Sequence, residues 1–75
     1  MKFRILQHKK HTDTICISGV NNLPKATIED IITRVIDSYQ GLNGILPEEF
    51  GRHWTRISIV EPDTLAVIAD IYNQN

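Results

Sequence analysis

Ile28, Ile31, Ile32, Val35, Ile36 and Tyr39 recur at i, i+3, i+4, i+7, i+8 and i+11, which is one apolar stripe on an α-helix. No second stripe of that clarity occurs in the 75 residues, and this limits the architecture. One helix can cover one face of one small sheet, so a sheet beside it keeps a second face that the helix cannot reach. Thr27 followed by Asp30 is a capping box with Asp in the Glu position, which sets the helix start. Gly41 supplies the stop, and Asp30 and Arg34 lie one turn apart, where opposite charges attract.

The rest of the chain reads mostly as strands. Lys2 to Leu6 alternates polar and apolar, and Thr14 to Val20 alternates again around Ile15 and Ile17; a period of two with β-branched residues predicts two strands. The polar stretch His8 to Asp13 is a hairpin loop, and Gly19 marks a strand end or a bulge. Asn21-Asn22-Leu23-Pro24 breaks the pattern before the helix. Residues 42–54 form a long connection punctuated by Gly44, Pro47 and Gly51. Within it Pro47 to Phe50 suits a single helical turn, and Phe50 and Trp54 are placed to lid the edge of the core. Thr55 to Val60 is a third strand, and Glu61 to Thr64 a turn with Pro at its second position. Leu65 to Tyr72 fits a strand by its β-branched content; a helix capped by Asp63 is the alternative. The expected fold is one α+β domain over residues 1–75, in the order β-β-α-β-β with the helix on one sheet face, or β-β-α-β-α.

That order assigns Phe3, Ile5, Ile15, Ile17, Ile57, Ile59, Leu65, Val67, Ala69 and Ile71 to the helix side. The other face receives Arg4, Leu6, Cys16, Ser18, Arg56, Ser58, Val60, Ala66, Ile68 and Tyr72, which is too apolar for a surface meant only for water. An apolar patch rimmed by charge marks a partner or self-association surface, and Arg4, Leu6, Arg56, Val60, Ile68 and Tyr72 are its expected contact residues. The competing possibility is that the 42–54 connection folds under the sheet and covers this face with Phe50 or Trp54.

Chemistry is harder to find. Cys16 is the single cysteine, so neither an internal disulfide nor a cysteine-rich zinc site can form. His8-Lys9-Lys10-His11 has metal-like spacing, but the lysines repel a cation and no further ligand completes a site. The glycines are scattered and none opens the helix as a phosphate cradle. Ser18, His53 and Asp13 are common residues without an elbow motif, and Glu48 and Glu49 are adjacent, so they point different ways. No catalytic residue, cofactor or metal is predicted, and the protein reads as a non-enzyme. Charge is uneven: residues 1–25 carry a net +4 and residues 26–75 a net −5. Arg4, Arg52, Trp54 and Arg56 combine basic groups with an aromatic, the ingredients of single-strand nucleic-acid binding.

The longest uninterrupted apolar run, Leu65 to Ala69, is far short of the ~20 residues that span a bilayer. The basic residues after Leu6 do not suit a signal peptide. A soluble, cytoplasmic protein is therefore expected.

Leu23-Pro24, then Ile28, Ile31, Ile32 and Arg34 on the helix, then Arg56-Ile57-Ser58-Ile59 and Leu65-Ala66-Val67-Ile68 succeed one another in this sequence. Across residues 23–70 this succession resembles the DinI-like family of small damage-inducible bacterial and phage proteins. Members of that family modulate the RecA recombinase filament, chiefly through an acidic C-terminal helix. The resemblance implies a small regulatory binding protein. The expected function is a regulator or inhibitor of phage or mobile-element type that binds another protein, or a second copy of itself, through the uncovered sheet face. The alternative is a nucleic-acid-associated regulator using Arg4, Arg52, Trp54 and Arg56.

Overall fold

Alternation at the N-terminus runs three residues beyond Leu6. A computed structural model describes residues 1–41 and 45–74, and in it strand β1 spans Lys2–Lys9. Phe3, Ile5 and Gln7 are buried on one side, while Arg4, Leu6 and His8 are half-buried on the other, as the pleat requires. The chain reverses after Lys9, whose N–H donates to the Thr14 carbonyl at 3.0 Å. His11 takes φ 65° within this turn. Strand β2, Ile15–Ile17, then pairs antiparallel with β1, Leu6 facing Ile17 and His8 facing Ile15.

Between Ile17 and Asn21 the register slips by one residue, because the two-residue strand β3, Asn21–Asn22, pairs with Lys2 and Phe3. The slip is a bulge, and Ser18 holds it. Its N–H donates to the Ile5 carbonyl at 2.9 Å, and its hydroxyl accepts from the Ile5 N–H at 2.8 Å. A side-chain oxygen thus stands in for the backbone carbonyl that the bulge carries away.

Helix α1, Ile28–Ser38, starts as its capping box predicts: Thr27 Oγ1 accepts from Asp30 N–H at 3.2 Å and the Asp30 carboxylate from Thr27 N–H at 2.9 Å. The chain leaves the helix through Gly41 at φ 82°, a conformation open to glycine. Strands β4, Trp54–Val60, and β5, Val67–Tyr72, complete an antiparallel sheet in the order β2-β1-β4-β5, with β3 also on β1. The order β-β-α-β-β therefore holds, with β3 as a short addition, and the terminal element is a strand. It begins two residues later than the hydrophobic run, because the turn after β4 extends through Leu65 at φ 61°.

Ile31 and Val35 of α1 lie against Phe3, Ile5, Ile57 and Ile59 of the sheet, with Phe50 closing the side. Each such side chain contributes about 1.5–3 kcal/mol by leaving water. Ile45, Leu46 and Trp54 pack half-buried around the same cluster, and Phe50 N–H donates to the Pro47 carbonyl at 3.0 Å to form the expected turn. The described part of the long connection therefore sits on the helix side, and it does not fold under the sheet. Gly44 and Asn75 lie outside the described residues.

The assignment of face is corrected for five residues. Cys16, opposite Gln7, turns toward the core, and Ile15 and Ile17 turn away from it, 52% and 48% exposed. Val67 also turns away: a bulge between Ile59 and Val60 pairs it with Val60, so it shares Val60's face. Leu65 precedes the strand and stands 42% exposed. Alternation separates two faces without saying which is inside, and each bulge inverts the parity of the residues beyond it.

Candidate functional site

The sheet face away from α1 is organised in rows. One row runs Ile17, Leu6, Ser58, Asp70 and the next Ile15, His8, Arg56, Tyr72, with Arg4 and Val60 paired beyond them. Apolar side chains stand at both margins: Ile15 and Ile17 on β2, and Val67, Ile68 and Tyr72 on β5, the last three 60%, 44% and 60% exposed. Between the margins lie the polar groups Arg4, His8, Arg56, Ser58 and Asp70, with half-buried Leu6 and buried Val60 among them.

Those polar groups hold one another in place. Arg4 spans the face, its Nε donating to the Pro62 carbonyl at 2.9 Å and its Nη1 to the Ser18 carbonyl at 3.1 Å. Arg56 Nη2 lies 3.0 Å from His8 Nε2, and since a guanidinium can only donate, the ring nitrogen accepts. Burial, and then the Arg56 charge, lowers the His8 pKa below its ordinary 6.5, with Asp70 opposing. Ser58 Oγ donates to Asp70 Oδ1. Arg56 Nε, buried and without a hydrogen-bond partner among the described residues, lies 3.9 Å from the same oxygen. That separation is an ion pair and too long for a hydrogen bond.

This arrangement leaves little free for bond-making. The Ser58 hydroxyl points its proton at Asp70, and the ring nitrogen that a base would use is taken by Arg56. Nucleophile and base are not in contact. Among the described residues no three His, Cys, Asp or Glu side chains gather as a metal site would need, and no helix is long and apolar enough to cross a membrane.

Of the expected contact residues, Arg4, Leu6, Arg56, Val60, Ile68 and Tyr72 all share this face, but they differ in reach. Val60 is fully buried and Leu6 half-buried, which leaves Ile68 and Tyr72 as the apolar groups a partner can touch. Ile15, Ile17, Val67 and His8 also belong to the face and were not expected there; Arg56 and Ser58 were, but not their links to His8 and Asp70. Pairing Lys9 with Thr14 would have revealed the isoleucines, because it places Ile15 opposite His8.

The basic and aromatic set is divided. Arg52 and Trp54 line a cleft of about 360 Å³ on the helix side, together with Ile36, Tyr39, Gln40 and Asn73. Trp54 stacks on Tyr39 with ring centroids 5.2 Å apart. Tyr39 accepts from Gln7 Nε2 at 2.8 Å, and burial pushes its phenol up to about 12. Arg4 and Arg56 lie on the opposite side of the sheet. No family model, curated protein or solved structure matches this chain.

Proposed function

We propose that this protein is a non-catalytic binding module, a regulator or inhibitor that docks on another protein through the open sheet face. The observation that carries this reading is the distribution of the face: five exposed aliphatic or aromatic side chains on its two margins, around a polar centre whose hydrogen bonds are largely internal. Apolar margins supply burial energy, and a tied polar centre loses little when covered, because its groups already have partners. The regulatory class implied by the DinI-like resemblance agrees with such a surface, and an intracellular setting follows from that reading.

A protein partner is favoured over nucleic acid because Arg4 and Arg56 cannot act together with Arg52 and Trp54 across the thickness of the sheet. Single-strand binding needs stacking and phosphate contacts on one side.

The test is affinity capture of the tagged protein from nuclease-treated and untreated lysate of its source cells, beside Ile17→Lys and Ile68→Lys. Each lysine sits at an exposed position, so circular dichroism should show both variants folded. A partner that survives nuclease and is lost with both variants supports the reading. A partner indifferent to both, or one released by nuclease, refutes it.

A further inference from the structure

The sheet order leaves β2 and β5 as edges, and the two differ. β2 is three residues long and gives way to a bulge, whereas β5 spans six residues and, beyond a bulge at its start, pairs without interruption from Ala69 to Tyr72. Short, bulged edges resist further pairing and long ones invite it. β5 contains neither lysine nor proline to protect it. Its single charge, Asp70, is drawn back over the sheet by Ser58 and Arg56.

The ladder also fixes which backbone groups of β5 face outward. Asn73 N–H donates to the Thr55 carbonyl at 3.0 Å. With Arg56 opposite Tyr72 and Ser58 opposite Asp70, antiparallel pairing turns the N–H and C=O of Ile71 toward β4. Those of Asp70 and Tyr72 turn away from the sheet, where no further strand among the described residues meets them.

We infer that a second copy of this chain adds along β5, antiparallel, about a two-fold axis through Ile71. In that register Asp70 of each copy faces Tyr72 of the other, so the outward N–H and C=O groups of both residues pair in full. Centring the axis on Asp70 would set two carboxylates directly opposite, which is destabilising. The axis at Ile71 brings the two half-buried Ile71 side chains together on the helix side and joins the two cores along an apolar seam. The same operation merges two open faces into one continuous surface. This inference concerns the backbone edge and stands apart from the reading of the face, which concerns side chains.

Sedimentation equilibrium should give a mass approaching twice 8.6 kDa as concentration rises from about 20 µM to about 1 mM, the range in which a small interface associates. Over that range hydrogen exchange on the unaltered protein should show the Asp70 and Tyr72 amides slowing about tenfold or more, with the Lys2 amide unchanged. Tyr72→Pro removes an outward N–H that the chain's own sheet does not use, a place where edge strands accept proline. It should stay folded and weaken association about tenfold or more, a loss of about 1.4 kcal/mol. Ile17→Lys, on the far margin, should still dimerise, so loss of a docking partner and loss of the dimer are separable. A monomer at about 1 mM overturns the inference, and so does a dimer whose Asp70 and Tyr72 amides exchange freely.

Discussion

Ser18→Ala tests the bulge that joins β2 to β3. The wild-type hydroxyl accepts from the buried Ile5 N–H at 2.8 Å and donates to the Gly19 carbonyl at 2.7 Å, and Ser18 itself is only 4% exposed. Alanine has nearly the same volume, so no cavity term enters. The change falls on the Ile5 amide, left in the interior without an acceptor, at about 1–3 kcal/mol. The Gly19 carbonyl, on an exposed residue, takes up water and adds at most about 0.5 kcal/mol. The expected loss is therefore about 2 kcal/mol. A 75-residue domain has about 4–11 kcal/mol in total, so this is a large share. At about 4–8 °C per kcal/mol for this size, the melting temperature should fall by roughly 8–16 °C. Urea unfolding should show a lower midpoint with an unchanged slope, and Ser18→Thr, which keeps the acceptor, should lose less than half as much. A Ser18→Ala variant within about 0.5 kcal/mol of wild type, with the Ile5 amide still protected, would mean that the amide has another partner. The account of the bulge would then be wrong.

The same geometry sets four further outcomes. Cys16→Lys should destabilise by about 2 kcal/mol or more and Ile17→Lys by less than about 1 kcal/mol, and equal losses in urea melts would refute the observed facing of β2. His11→Gly should raise stability by about 0.5 kcal/mol and His11→Val lower it by about 1 kcal/mol, because φ 65° opposes a Cβ and a branched one most; thermal melts read both. The His8 pKa lies below 6.5 in the folded protein, so the unfolded chain takes up this proton first. Stability should fall as pH drops from about 6.5 toward the lower folded value, and His8→Leu should flatten that part of the curve. Glu61 accepts from the Thr64 backbone N–H, then the Thr64 hydroxyl, and more weakly the Asp63 backbone N–H, which together hold its pKa below the ordinary 4.5. Its contribution is complete above 4.5 and lost as pH falls through the folded value, and Glu61→Gln should show a shallower acid transition.

The helix was legible almost to the residue because its period, its capping box and its terminating glycine are all local. The count and order of the long strands were legible for the same reason. Orientation was not. Ile15-Cys16-Ile17 alternates whichever side is inward, and hydrophobicity favours burying two isoleucines over one cysteine. The hairpin register overrides that preference, since Lys9 pairing with Thr14 sets Cys16 beside Gln7. Gln7 itself shows the limit of pattern reading. A polar residue at the end of the alternation suggests solvent, yet it is fully buried and donates to both Tyr39 and Gly51. The open face was inferable from a geometric fact, one helix and two faces. Arg56 and Ser58 were placed on that face, but the way they pair with His8 and Asp70 was not legible, because the four come from three strands and meet only through the sheet.

The position of β1 also governs when the protein can form. β1 lies between β2 and β4, and its longest ladder is with β4, so Leu6 waits for Ser58 and Ile5 for Ile59. An 11-residue helix is too short to persist alone in water, and the β1–β2 hairpin pairs over only three residues of β2. During synthesis everything before Trp54 emerges as a chain without a sheet to settle on. Pairing of β1 with β4 then needs loop closure across most of the sequence, which slows folding. Until then Phe3 and Ile5 of β1 and Ile31 and Val35 of α1, all buried in the folded protein, are exposed together, so this small domain is most vulnerable to misassociation while it is being made.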